Sequence, residues 1–369
     1  MPIPLRPVPI QIYALFSTLL LLGPVAWLPA QEPAAAPAAH DRLVVLNKAA
    51  GTASLFDPST RKEVARVEVG TGPHEVAVAP DGRTAVVCNY GDQRPGNSLT
   101  IVDVPAARAI ATFVLESTDG TGAEAKTRTW LRPHGIQFLA DGRHVLVTSE
   151  QTRRLLVVDV RERKVVRTLP TPQPQLHMVA LAPDGKRAFG ASLRDGTIAV
   201  FELSPPDGDP APAVTIATGE GAEGIAARPG SREVWVANRA VDKLSIVDPD
   251  GRKVLAELAT GAMPIRVAFT PDGARALVSC ADGGVVQVFD ATARKLAATV
   301  DLLAERTELS PQPIGICMAP DGRTAWVACA RGEFLAVLDL QQGVLIDRVP
   351  AGPGPDGMAW ARWTDAAAK

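Results

Sequence analysis

Several features that commonly announce a function are scarce or missing in this chain. Aromatic residues make up 5% of the 369 positions, and no basic face with interleaved aromatics can be traced, so nucleic acid is not an expected partner. Net charge is only -2, which leaves no global field to draw the protein to polyanions or acidic membranes. No long segment of the main body carries the period of an amphipathic helix, and that argues against a helical bundle. A Walker phosphate loop, a Gly-x-Ser-x-Gly elbow, a Cys-x-x-Cys-His haem attachment and a hand-type calcium loop are absent, and His74-Glu75 lacks the second histidine of a zincin helix. These absences remove enzymes legible from a linear motif. They leave untouched any site assembled from distant residues.

Glycine and proline, by contrast, are frequent, at 31 and 32 residues, which suits many short strands joined by tight turns. The first 30 residues stand apart. Arg6 precedes an apolar stretch from Ile10 to Leu28 broken only by Gln11 and Ser17, the pattern of an export signal. Cleavage is expected after Ala30, with Ala38 a second candidate, and residues 31–40 read as an Ala/Pro-rich linker. About 19 apolar residues would also just span a bilayer as an uncleaved anchor, but Gly23, Pro24 and the following linker favour cleavage. The mature chain is therefore expected in the periplasm or outside the cell, with no transmembrane segment.

The body of the sequence is a variation on one unit. Val76 to Ala79 is an apolar run that meets Pro80-Asp81-Gly82 and returns as Thr84 to Asn89. Proline presets φ at the first turn position, aspartate tolerates the second, and glycine takes the left-handed conformation that closes a hairpin. The unit recurs before Gly185, Gly273 and Gly322, with weaker copies before Gly142, where Ala140 replaces proline, and before Gly230. Third and fourth apolar runs follow each hairpin, as in Leu244 to Asp248 and Lys253 to Leu258. Four strands per repeat, at a spacing of about 43 to 60 residues, is the signature of a propeller blade.

Six hairpins leave the ends unpaired. Pro355 to Trp360 reads as a first strand without a second, while Leu43–Asn47, Thr52–Phe56 and Glu63–Val69 read as strands two to four without a first. Joining them completes a seventh blade and removes the free edges that invite aggregation. The expectation is an all-β, seven-bladed propeller of four-stranded antiparallel blades over 41–362, followed by a tail at 363–369, in a monomer. Four cysteines are present. Cys280 and Cys329 share a register in adjacent repeats, but such positions usually lie farther apart than the about 7 Å a disulfide tolerates, so buried free thiols are expected.

Val236-Ala237-Asn238 followed by Leu244 to Asp248, and Val87-Cys88-Asn89 followed by Leu99 to Asp103, resemble the Tyr-Val-Thr-Asn repeat family of bacterial β-propellers. The resemblance covers nearly the whole mature chain and implies the fold. It implies no single activity. The family is similar in architecture to propeller lactonases, the haem d1 domain of nitrite reductase, the nitrous oxide reductase propeller and the amine dehydrogenase large subunit, whose chemistries differ.

In such a ring the starts of the first strands share one face, the top, with the loops between second and third strands. One register there collects His74, His134, His177, Glu223, Ile265, Ile314 and Asp356. Three of the five histidines fall in it, in consecutive blades. Three imidazoles with Glu223 or Asp356 would suit zinc or copper; a polar channel lining without metal is the competing reading. Around this ring a rim of Lys48, Arg94, Arg153, Arg154, Arg194, Arg239 and Arg331, with Arg266 deeper and Trp130 on a long loop, offers guanidinium forks to a small anionic ligand or an acidic protein partner. Long segments at Tyr90–Ser98, Leu115–Arg132 and Asp301–Gln312 are expected on the same face, and Leu203–Ala213 below. Two functions stay open: a non-enzymatic binding propeller, and a metal-dependent hydrolase or redox enzyme.

Overall fold

Five of the six hairpin turns close by the same hydrogen bonds in the computed structural model, which describes residues 39–119, 126–203, 213–303 and 309–365. The Gly82 N–H donates to Ala79 O at 2.8 Å, and the equivalent bond recurs at Gly142, Gly185, Gly273 and Gly322. Each of these glycines has a positive φ. The aspartate before it accepts from the backbone two residues on: Arg83 N to Asp81, Arg143 N to Asp141, Lys186 N to Asp184, Ala274 N to Asp272 and Arg323 N to Asp321, all between 2.8 and 3.0 Å. In the fifth blade Ser231 Oγ takes that role.

Seven four-stranded antiparallel sheets result, plus a two-stranded ribbon. Going outward from the axis, the first blade runs Pro355–Thr364, Ala39–Asn47, Thr52–Asp57 and Lys62–Glu68. Its two innermost strands come from opposite ends of the propeller. They pair antiparallel from Ala39 opposite Thr364 to Asn47 opposite Pro355, with one irregularity near Asn47. Asp41 latches the closure, accepting from Trp360 Nε1 at 2.7 Å and from Arg362 Nε and Nη2 at 2.7 and 2.8 Å. Pairing runs two residues past both expected boundaries, because His40 stacks on Trp363 with centroids 5.3 Å apart and bonds Asp365. The expected signal, most of the linker and the end of the tail lie outside the described residues.

Innermost strands begin at Pro73, Pro133, Leu176, Ala222, Pro264 and Pro313 in the other blades, and each packs on the next all the way round. Alternation of side chains puts Val and Leu on both faces of the middle strands, so the apolar clusters lie between blades. Large side chains such as Trp235, Trp326, Phe189 and Phe289 are essentially inaccessible there. Close to the axis the backbones crowd: a Cβ on Gly357 would stand 2.2 Å from His74 O, and Gly135, Gly224 and Gly315 meet the next blade's backbone in the same way.

The family-motif asparagine has a structural job. Asn89 Oδ1 accepts from Gly70 N at 3.0 Å while Nδ2 donates to Ser98 Oγ and Thr100 Oγ1. Asn238 and Asn47 likewise donate to Ser245 and Ser54. Such a buried amide ties strand two to strand three.

All four cysteines are free and buried. Tyr90–Ser98 is a lengthened hairpin, since the strands Thr84–Gly91 and Pro95–Asp103 run on. Leu115–Arg132 carries the extra ribbon, Glu116–Asp119 with Lys126–Thr129. The middles of that segment, of Asp301–Gln312 and of Leu203–Ala213 lie outside the described residues. Among the described residues no helix is long and apolar enough to cross a membrane.

Candidate functional site

Because the seven first strands start around one axis, the seven residues of the ring register line a single cavity of about 220 Å³ at the top. A larger cleft, of about 420 Å³, lies on the opposite face between the closing strands and the seventh blade, but it is built around the closure latch. The chemistry converges on the top.

The position after each ring residue forms the floor. Glycine stands there in four blades, and Glu75, Met178 and Arg266 in the other three. Arg266 crosses the axis, donating from one terminal nitrogen to Met178 Sδ at 3.0 Å and from the other to Glu75. A buried arginine neutralised by a carboxylate thus plugs the channel beneath the ring.

Above this plug the polar groups form a continuous chain. Tyr90 Oη donates to Glu150 Oε2 at 2.7 Å. The other oxygen of Glu150 accepts from His177 Nδ1, and His177 Nε2 lies 3.5 Å from Glu223 Oε1. Arg239 completes the run by donating to Glu223 Oε2 at 2.7 Å. His134 stacks on His177 with ring centroids 3.7 Å apart, and His74 stands 5.1 Å from His134. His74 donates Nδ1–H to Gly72 O at 2.7 Å, whereas His134 Nδ1 is buried without a hydrogen-bond partner.

These surroundings pull the three histidines apart. Burial disfavours the charged form of all three. At His177 the hydrogen bonds and charges of Glu150 and Glu223 outweigh burial and carry the pKa up to about 9. His74 has no carboxylate partner, so burial and then the Lys48 charge take it down to about 3. Burial, followed by the positive charge of His177, drives His134 well below its ordinary value. Burial and the neighbouring Glu75 raise Asp356 to about 7; at Glu223 burial pushes the pKa up, but His177 and Arg239 outweigh it and hold the carboxyl below its ordinary value. One imidazolium therefore sits among two neutral imidazoles.

Of the expected metal set, His134 and His177 lie with their donor atoms and one from Glu150 within 4.8 Å of one another. His74, Glu223 and Asp356 line the same cavity but fall outside that compact group. Glu150, just past the second strand of the third blade, joins His134 and His177 because its carboxylate reaches His177 Nδ1 in the next blade. Lys48, Arg239 and Arg266 of the expected rim reach the cavity. Arg94, Arg153, Arg154, Arg194 and Arg331 do not, because their loops turn outward: Arg331 bonds Ser310 O, Arg154 bonds Arg153 O, and the other three are exposed. Trp130 is not a ligand-facing side chain either; it is buried in the apolar cluster between the second and third blades.

Sequence reasoning missed Glu75, Tyr90, Glu150 and Met178. Counting one position beyond the ring register would have found Glu75 and Met178 beside Arg266. Tyr90, next to last in the second strand of its blade, and Glu150, just past the end of its own, carry no comparable signal.

Solved propellers of similar shape are distant in sequence. A functionally unknown protein from Desulfotomaculum acetoxidans superposes with a TM-score of 0.69 at 15% identity, over 87% of this chain and 98% of that one. Dihydro-heme d1 dehydrogenase NirN, solved in complex with DHE, gives a TM-score of 0.59 at 17% identity over 85% of this chain and 64% of that one. Both likenesses are of fold. No curated protein matches the chain. Residues 37–304 match the family described as "Lactonase, 7-bladed beta-propeller", and with its seven blades closed by both ends of the propeller, the chain belongs to that family.

Proposed function

We propose that the protein is an exported, non-enzymatic propeller that captures a small anionic ligand, or the acidic side chain of a partner protein, in the top cavity. The observation that carries this reading is the convergence of all seven ring positions on one cavity whose floor is plugged. Its volume of about 220 Å³ falls below the roughly 300–1,000 Å³ typical of sites for drug-sized molecules, which favours an ion or a few-atom group over a tetrapyrrole of the kind named with NirN. Lys48, with 48% of its side chain exposed and its Nζ 3.8 Å from Asp356, is the cation best placed to greet an anion. Arg239 stands on the opposite side, anchored to Glu223. Residues 1–30 support export by their charge and hydropathy pattern.

The test is a thermal-shift panel of small carboxylates and phosphates on the mature chain. A saturable rise in Tm that Lys48→Met removes is the expected result; no shift with any anion overturns the reading. The alternative, a metal-dependent hydrolase or redox enzyme, is favoured by the clustering of His134, His177 and Glu150. Lactone hydrolysis above the buffer rate by metal-loaded protein would move the assignment to that class.

A further inference from the structure

We infer that His134, Glu150 and His177 form a three-ligand site for a divalent transition metal, zinc or copper, with an open coordination position facing the top cavity. This rests on the reading of that cavity as the ligand site and names the ion that would make it attractive to an anion.

Donor geometry is the first support. One atom from each residue lies within 4.8 Å of the other two. Around a tetrahedral ion with bonds of about 2.0 to 2.2 Å, ligand atoms stand roughly 3.5 Å apart, so small side-chain rotations bring this set to bonding distance. Two imidazole nitrogens and a carboxylate oxygen also match the preferences of zinc and copper rather than calcium or magnesium.

A second, independent observation points the same way. His134 is 5% exposed, yet its Nδ1 has no hydrogen-bond partner. Buried polar atoms are rarely left so.

The surroundings are arranged as they are around metal ligands elsewhere, where neighbours hold each ligand in place. Tyr90 holds the far oxygen of Glu150, and Arg239 fixes Glu223 behind His177. Charge agrees as well. Glu75, Glu150, Glu223 and Asp356 face Lys48, Arg239, Arg266 and the imidazolium of His177, so a divalent ion that displaces the His177 proton adds only one net positive charge to the cavity. On coordination the Nδ1 proton that His177 shares with Glu150 leaves to solvent, and the metal takes its place.

The experiment is calorimetric titration of the chelator-washed mature chain with zinc chloride, repeated with copper(II) and read by electron paramagnetic resonance. One equivalent of zinc should bind, and copper should show hyperfine coupling to two imidazole nitrogens. His134→Ala and the near-isosteric Glu150→Gln should each weaken zinc binding tenfold or more while circular dichroism keeps the β spectrum. His144→Ala, on the opposite face beside Asp141 and Asp159, should change nothing. Absence of saturable uptake, or uptake that survives both site variants or disappears with His144→Ala, overturns the inference. If anions bind the metal-free chain and zinc does not, the site inference falls and the proposed function stands; if zinc binds and no anion ever does, the reverse holds.

Discussion

The two faces of the ring are built from the same strands and by opposite rules. Below, the turns between first and second strands repeat one hydrogen-bond pattern from blade to blade, and those between third and fourth repeat another, with Asp57, Asp159, Asp248, Asp290 and Asp339 each accepting from two backbone N–H groups. Above, equivalent positions hold histidine, glutamate, isoleucine and aspartate in turn. Repetition serves a face whose task is local and identical in every blade. Divergence serves the one place where seven blades meet a common space, since a site needs unlike groups at like positions.

The largest effect should come from breaking the closure on which both faces depend. Truncation after Gly354 removes the innermost strand of the first blade, frees the edge of Ala39–Asn47 and uncovers the strands of the two flanking blades that packed on it. Loss of the cooperative melting transition and rapid proteolysis are expected; a cooperative melt within a few degrees of the full chain would show that the latch is dispensable.

Next in size is the plug. Arg266→Met leaves Glu75 buried without its cation, a change worth about 3–5 kcal/mol in denaturant melts, and adding Glu75→Gln should recover a good part of it. If the double variant is as unstable as the single, the pair is not what closes the channel floor.

Turn glycines on the lower face sharpen the comparison, because they look alike in sequence and differ in surroundings. Gly82 and Gly185 have φ of +72° and +67°, so alanine costs each about 1–2 kcal/mol of left-handed strain. At Gly82 a Cβ would also stand 1.9 Å from Arg362 O, while at Gly185 nothing lies within 4 Å. Gly82→Ala should therefore be clearly the more destabilising. Equal melting temperatures would mean that the closing strand yields freely.

The smallest effect is a pH slope confined to the upper face. His177 has a folded pKa of about 9 against an ordinary value of 6.5, so the folded state holds more protons and its contribution, complete below pH 6.5, is lost as pH rises through 9. Glu150, Glu223, His134 and His74 are the titratable neighbours. His74 is held low and contributes below 6.5, whereas Asp356, raised to about 7, gives up its own proton in the lower part of the window and adds to the loss there. Metal-free protein should lose on the order of 3 kcal/mol across this window, and His177→Gln should flatten the slope. A wild-type profile level from 6.5 to 9 would contradict the paired imidazolium.

Much of the architecture was legible because it rests on neighbours in sequence. Pro80-Asp81-Gly82 specifies its hairpin from within, and the alternation in Leu244 to Asp248 specifies a strand buried on both faces. The ring register was legible too, since a repeat fixes which residues are equivalent, and His74, His134 and His177 do line one cavity. The rim was not. Arg153 and Arg194 occupy loops equivalent to that of Arg239, yet only Arg239 finds a buried carboxylate to turn toward, and Glu223 lies 16 positions away in another strand.

By itself, then, the order of residues determined the blade count, the turn chemistry and the meeting of the two ends, because each follows from contacts within or between adjacent repeats. Tertiary structure alone decided that Glu150 joins His134 and His177, that Arg266 crosses to Glu75 over 191 positions, and that Trp130 belongs to the core. Arg266 and Glu75 meet across the axis and the others at joints between neighbouring blades, places that no single segment of the chain contains.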